Sequence, residues 1–183
     1  MQLEGPQDWI DWLERHYDFE PGVWLKFAKK GTGVTTVTYA EALEAALCFG
    51  WIDGMSKSFD ATFYLQKFTP RRKRSMWSKI NVAKVEALMA AGKVRPSGIA
   101  AVEAAQADGR WQRAYDSPAN TTMPDDFKAL LEAEPKVKAF YDSLSKANQY
   151  AIVWRIMTAA KPAIRQARIE KLLAMLRDGK TIH

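Results

Sequence analysis

The sequence predicts an α+β protein: an N-terminal unit with a small, mostly antiparallel sheet and helices, followed by an all-helical C-terminal unit. Three observations carry this. Between Val23 and Phe68 apolar residues alternate at a spacing of two or gather in Thr-, Phe- and Tyr-rich runs. From Ser78 onward the apolar period is helical. Tyr115 to Pro124 has two prolines and no period, and divides the helices into two groups. The expected organisation is an α+β domain over 1–114, a linker over 115–124 and a helical domain over 125–183.

Taken in order, Pro6 opens a first helix, since its fixed φ suits the first turn. Trp9, Leu13 and Tyr17 make one stripe on it, with Trp12 beside them. Pro21-Gly22 ends the helix, and Val23 to Lys29 reads as a strand. Thr38 and Glu41 form a capping box for a helix whose buried stripe is Leu43, Ala46 and Leu47, with Gly50 at its left-handed end. A hairpin is expected next, from Trp51 to Lys57, turning at Ser58–Asp60 and returning from Ala61 to Phe68. Ser78 and Ser97 are N-cap candidates for the following two helices. Further helices are expected over 125–133 and 135–144, then from Ser145 to Ala160, and from Pro162 to Gly179.

Of the 183 residues, 27 are Lys or Arg and 21 are Asp or Glu, for a net charge of +6. The spread is uneven. Residues 1–66 carry five basic and ten acidic side chains, whereas 67–79 carry six basic and no acidic ones. Cys48 is the sole cysteine, so no intrachain disulfide forms and a reducing compartment is expected. The N-terminus is acidic and amphipathic, unlike a signal peptide, and no apolar run reaches the ~20 residues of a membrane span. The expected location is cytoplasmic.

Catalytic patterns are scarce. His16 falls on an amphipathic helix and His183 is the last residue, so no paired base and nucleophile emerges. Cys48 lies on the apolar side of its helix, where packing is expected. There is no Walker loop, no GxSxG, no GxGxxG and no cluster of four metal ligands, so neither a metal nor a cofactor is expected. Asp53, in Trp51-Ile52-Asp53-Gly54, is the one candidate acid/base; the alternatives are turn chemistry or orientation of a nearby Arg.

The basic run Arg71-Arg72-Lys73-Arg74 follows a strand, and Trp77, Ser78 and Lys79 lead into a helix. Guanidinium groups fit carboxylates and phosphates, a helix start adds N–H groups, and Trp77 offers an aromatic face. Two readings stay open: an anion-binding pocket, or a loop neutralised by the acidic first third. In the last helix Lys161, Arg165 and Arg168 share a face, expected to be solvated.

Four segments carry a family resemblance: TYAEALEAALCFGWIDG (38–54), FTPRRKRSMWSKIN (68–81), AAVEAAQADGRW (100–111) and AKPAIRQARIEKLL (160–173). With them the chain resembles the YdeI/OmpD-associated, or bacteriocin-protection, family, its C-terminal helices resembling the OmdA domain. The N-terminal unit is similar to small α+β folds grouped with YjbR and CyaY. The resemblance implies protection against bacteriocins or cationic peptides, association with an outer-membrane porin and a periplasmic location; it brings no catalytic residues.

The expectation is therefore a non-enzymatic, cytoplasmic binding protein, and with the family resemblance one of stress or antimicrobial-resistance (bacteriocin-protection) type with an anion-binding basic pocket. Arg71, Arg72, Arg74 and Lys79 would hold an unknown anion, phosphate-containing or nucleic acid. Trp51 and Trp77 would wall the pocket, and Asp53 would orient one Arg. The alternatives are an enzyme acting on a small anionic substrate through Asp53, and an interaction module whose C-terminal helices bind a protein partner.

Overall fold

A computed structural model describes residues 1–182; His183 lies outside the described residues. It contains helices α1 (Pro6–His16), α2 (Tyr39–Cys48), α3 (Lys79–Ala90), α4 (Pro96–Ala107), α5 (Asp125–Glu132), α6 (Pro135–Ser143), α7 (Lys146–Met157) and α8 (Pro162–Arg177). The strands are β1 (Val23–Ala28), β2 (Trp51–Ser58) and β3 (Phe63–Pro70). The chain forms two compact units. The first takes Met1–Trp77 and Asn81–Gln112; the second takes Ser78–Ile80 and the chain from Arg113. No described helix is long and apolar enough to cross a membrane.

In the first unit the strands pair antiparallel in the order β1-β3-β2. Alternation sorts their side chains onto two faces. Leu25, Phe27 and Phe68 are buried on the inner face. The N-terminal segment reaches β1 through an isolated bridge, Gln2 to Lys26, and β2 is interrupted by a register shift between Asp53 and Ser56. Asp60 closes the hairpin turn: its Oδ1 accepts from the N–H of Thr62 at 2.8 Å and of Phe63 at 2.7 Å.

The inner core is aromatic. Trp9 stacks on Trp12 at 5.3 Å and meets Trp51 edge-on at 5.8 Å and Phe68 at 5.9 Å. The Trp9 and Trp51 indoles are hydrogen-bonded, as buried polar groups favour. Trp9 Nε1 donates to Ala42 O at 3.1 Å, and Trp51 Nε1 to Tyr17 O at 2.6 Å. These bonds tie α1 to α2 and β2 to the end of α1.

The start of α2 follows the capping box. Thr38 N–H donates to Glu41 Oε2 at 2.9 Å, and Glu41 N–H to Thr38 Oγ1 at 3.3 Å. Thr38→Ala is expected to lower stability by about 1 kcal/mol, read as an earlier urea midpoint with an unchanged slope. Gly50 ends the turn after α2 at φ 76°. Beyond it, α4 begins at Pro96 with Arg95 at its N-cap, so Ser97 lies inside the first turn instead of capping it. Pro has no N–H to lose there, which favours it at the first helical position.

In the second unit α5 to α8 enclose Phe127, Leu131, Val137, Tyr141, Ile152, Ile156, Ile169 and Leu173. Arg165 forks onto Asp126 and holds that carboxyl down to about 2. Arg168 Nη1 donates to Arg155 O at 2.6 Å, so the basic face expected to be solvated partly joins α8 to α7. Residues 115–124 form no helix or strand, yet they pack within this unit. Tyr115 meets Trp154 edge-on at 5.8 Å, and Tyr150 Oη donates to Asp116 O at 3.0 Å.

Candidate functional site

The basic loop is built from β3 outward. Arg71 N–H donates to Gly50 O at 3.0 Å, which fixes the loop where β3 ends. A tight turn follows: Ser75 N–H donates to Arg72 O at 2.8 Å, and Arg72 N–H to Ser75 Oγ at 3.0 Å. From below, Arg110 Nη1 donates to Ser75 O at 2.8 Å while its Nε bonds both oxygens of Asp108. The Arg71 guanidinium lies over the Trp77 ring, 3.4 Å from its centroid, and Nη1 donates to Met76 O at 3.1 Å. Trp77 in turn packs against Trp111, with 4.9 Å between ring centroids.

This bracing separates the basic residues by role. Arg71 is a brace, held on Trp77 by a cation–π contact and a backbone bond. Arg72, Lys73 and Arg74 stand exposed at the turn. Among the described residues no salt bridge reaches these three.

Several acidic groups of the first third are engaged elsewhere. Asp8 accepts from the backbone at the start of α1, Glu14 pairs with Arg95 at 2.7 Å, and Glu44 sits 3.7 Å from Lys93. Glu41 caps α2, and its Thr38 hydrogen bonds lower its pKa. Among the described residues, then, no salt bridge neutralises the loop tip.

The other expected site residues have partners of their own. Trp51 is fully buried and Trp77 is 1% exposed, so neither ring walls a groove open to solvent. Sequence order set them beside the hairpin and loop; the core claimed them because each buries a large apolar area. Lys79 pairs with Asp116 at 2.6 Å, an exposed bridge in the second unit. Asp53 accepts a hydrogen bond from Tyr39 Oη at 2.9 Å, which links β2 to the first residue of α2. Burial, then the Asp53 charge, push the Tyr39 hydroxyl well above the usual phenol range. Among the described residues no ion pair joins Asp53 to an Arg, so it orients Tyr39 and not a guanidinium.

Two clefts open elsewhere. One, of about 460 Å³, lies between α1, α2 and the turn before α4; Ile10, Glu44, Cys48, Phe49, Lys93 and Arg95 help to line it. Burial, then Glu44, raise the Cys48 thiol above its ordinary pKa, which disfavours the reactive thiolate. The other, of about 1250 Å³, lies in the second unit among Tyr115, Met123, Tyr150, Trp154 and Arg155. Neither cleft is lined by Asp53 or by the basic loop. No group of three or more His, Cys, Asp or Glu side chains among the described residues could hold a metal ion.

Selecting residues for bidentate contact singles out the arginines and passes over Lys73, which stands with Arg72 and Arg74 at the exposed turn. The run of four basic residues was the signal that included it.

Comparison with known proteins gives two matches. Residues 1–101 match a family described as Domain of unknown function (DUF8412). Residues 120–179 match the family described as Bacteriocin-protection, YdeI or OmpD-Associated. No curated protein and no solved structure matches the chain.

Proposed function

We infer that this chain, which belongs to the DUF8412 family through residues 1–101 and carries a bacteriocin-protection region at 120–179, is a binding protein that holds a polyanion at its basic loop. The observation that carries the reading is the set Arg72, Lys73 and Arg74, exposed on a braced turn with no salt bridge among the described residues. Holding like charges together costs free energy that a bound anion relieves. Arg71, Trp77 and Arg110 supply the rigid base, so the loop need not be ordered by its ligand. Phosphate chemistry suits two guanidinium groups and an ammonium. A cytoplasmic site of action accords with such a ligand and with Cys48 as a lone buried thiol.

The test uses inorganic polyphosphate and the whole chain. Wild type is expected to bind at ~20 mM salt and to weaken along a linear log–log salt plot. Replacing Arg72, Lys73 and Arg74 together by Ala should weaken binding at least tenfold and flatten the slope by about 2 to 3. An equal charge loss on the second unit, by Lys128→Ala, Lys136→Ala and Lys146→Ala, should leave most of the binding. Failure of wild type to bind, or equal loss in both triple variants, would overturn the reading.

A further inference from the structure

The outer face of the three-stranded sheet carries a second pattern. Its residues are fixed by register: Trp24 opposite Lys67, Lys26 opposite Leu65, Leu65 opposite Lys57, and Phe63 opposite Ala28. Cation–π contacts place them on one side. Lys57 Nζ lies over the Trp24 ring at 4.6 Å, reaching across β3. Lys26 Nζ lies over Phe63 at 3.8 Å and over Phe59, at the hairpin tip, at 4.9 Å. The opposite side holds the buried Phe27 and Phe68.

The outer face therefore interleaves aromatic rings with ammonium groups, and among the described residues no strand position on it is a carboxylate. Asp53 points to Tyr39, and Asp60 caps its own turn. β3 runs from this face directly into Arg72, Lys73 and Arg74, all within the first unit. Trp24 and Phe63 are four strand positions apart, about 13 Å along the sheet.

We propose that this sheet face, continued by the Arg72–Arg74 loop, is a stacking platform for single-stranded nucleic acid. The proposal rests on the anion-binding reading and gives its ligand a class. Bases have apolar faces that stack on Trp and Phe, while Lys and Arg track the phosphates between them. Lys26 and Lys57 are placed to do both: each leaves its ring as a base arrives and moves to a neighbouring phosphate. An acidic peptide would use the cations and leave the rings idle. A duplex hides its base faces and is the poorer match.

The experiment compares three probes on the whole chain: a labelled oligothymidine of about twelve nucleotides, the corresponding duplex, and polyphosphate of equal charge. The single strand is expected to bind about tenfold more tightly than polyphosphate. Trp24→Ala should weaken the single strand five- to tenfold and leave polyphosphate unchanged, while Trp24→Phe restores most of the affinity. Lys57→Glu, at an exposed position, should weaken both single strand and polyphosphate without disturbing the fold, as near-UV circular dichroism would report.

Equal binding of single strand and polyphosphate, or indifference of the single strand to Trp24→Ala in a folded protein, would overturn the platform while sparing the anion site. A duplex that binds more tightly than the single strand would also overturn it. Failure of all three probes on wild type would remove both readings together.

Discussion

Trp51→Ala is expected to destabilise the protein by about 4 kcal/mol, the largest effect of any single truncation proposed for this chain. The indole is fully buried and meets two other tryptophans edge-on, Trp9 at 5.8 Å and Trp12 at 5.7 Å. Removing it leaves a cavity between α1 and the sheet and strips packing from Trp9, which holds α2 through Ala42. It also removes the hydrogen bond to Tyr17 O, 2.6 Å from the indole nitrogen. Aromatic pairs add about 0.5–1.5 kcal/mol beyond their area. Trp51→Phe keeps much of the volume and should recover about half the loss. Urea unfolding followed by circular dichroism measures this; a shift below about 1.5 kcal/mol would show that the cluster relaxes around the gap.

Gly98→Ala is expected to cost about 2 kcal/mol even though it replaces glycine inside a helix. Helix propensity alone favours Ala by about 1 kcal/mol. Geometry decides the sign. A Cβ at residue 98 would stand 2.3 Å from Cys48 O and 2.7 Å from Val94 Cγ1. The first of these is backbone at the end of α2, already accepting from Arg95 N–H at 2.8 Å. It cannot swing aside as a side chain would, so α4 must lift from α2, and overpacking of this kind costs about 1–3 kcal/mol or more. A thermal midpoint at or above that of wild type would mean that α4 is not seated as closely as the structure has it.

Much of the scaffold was legible in the sequence because its signals are local. The Thr38–Glu41 box lies within one helical turn, Gly50 lies at the end of that helix, and Leu25 and Phe27 alternate along one strand. The site was legible only in part. The run Arg71–Arg74 was visible, but its division into one brace and three exposed cations depends on Trp77, Arg110 and Asp108, which local periodicity does not connect. Trp51 has the same composition signal whether it lines a groove or fills a core; its bond to Tyr17, 34 residues away, decided that. The outer face needed the order β1-β3-β2, which sets Lys57 over Trp24 and cannot be read from either strand alone.

The two ends of that strand order have a consequence for self-association. A bare edge strand is a template on which a second chain can add, and such pairing is the seed of fibrils. Here β1 is partly covered, since Lys26 N–H donates to Met1 O at 2.8 Å. The opposite edge, β2, is broken by its register shift between Asp53 and Ser56 and carries Lys57 just beyond it. An irregular edge with a charge on it is a poor template for another strand. The same lysine that shields the Trp24 ring thus also guards the sheet against its own copies, so the aromatic outer face does not come at the cost of aggregation.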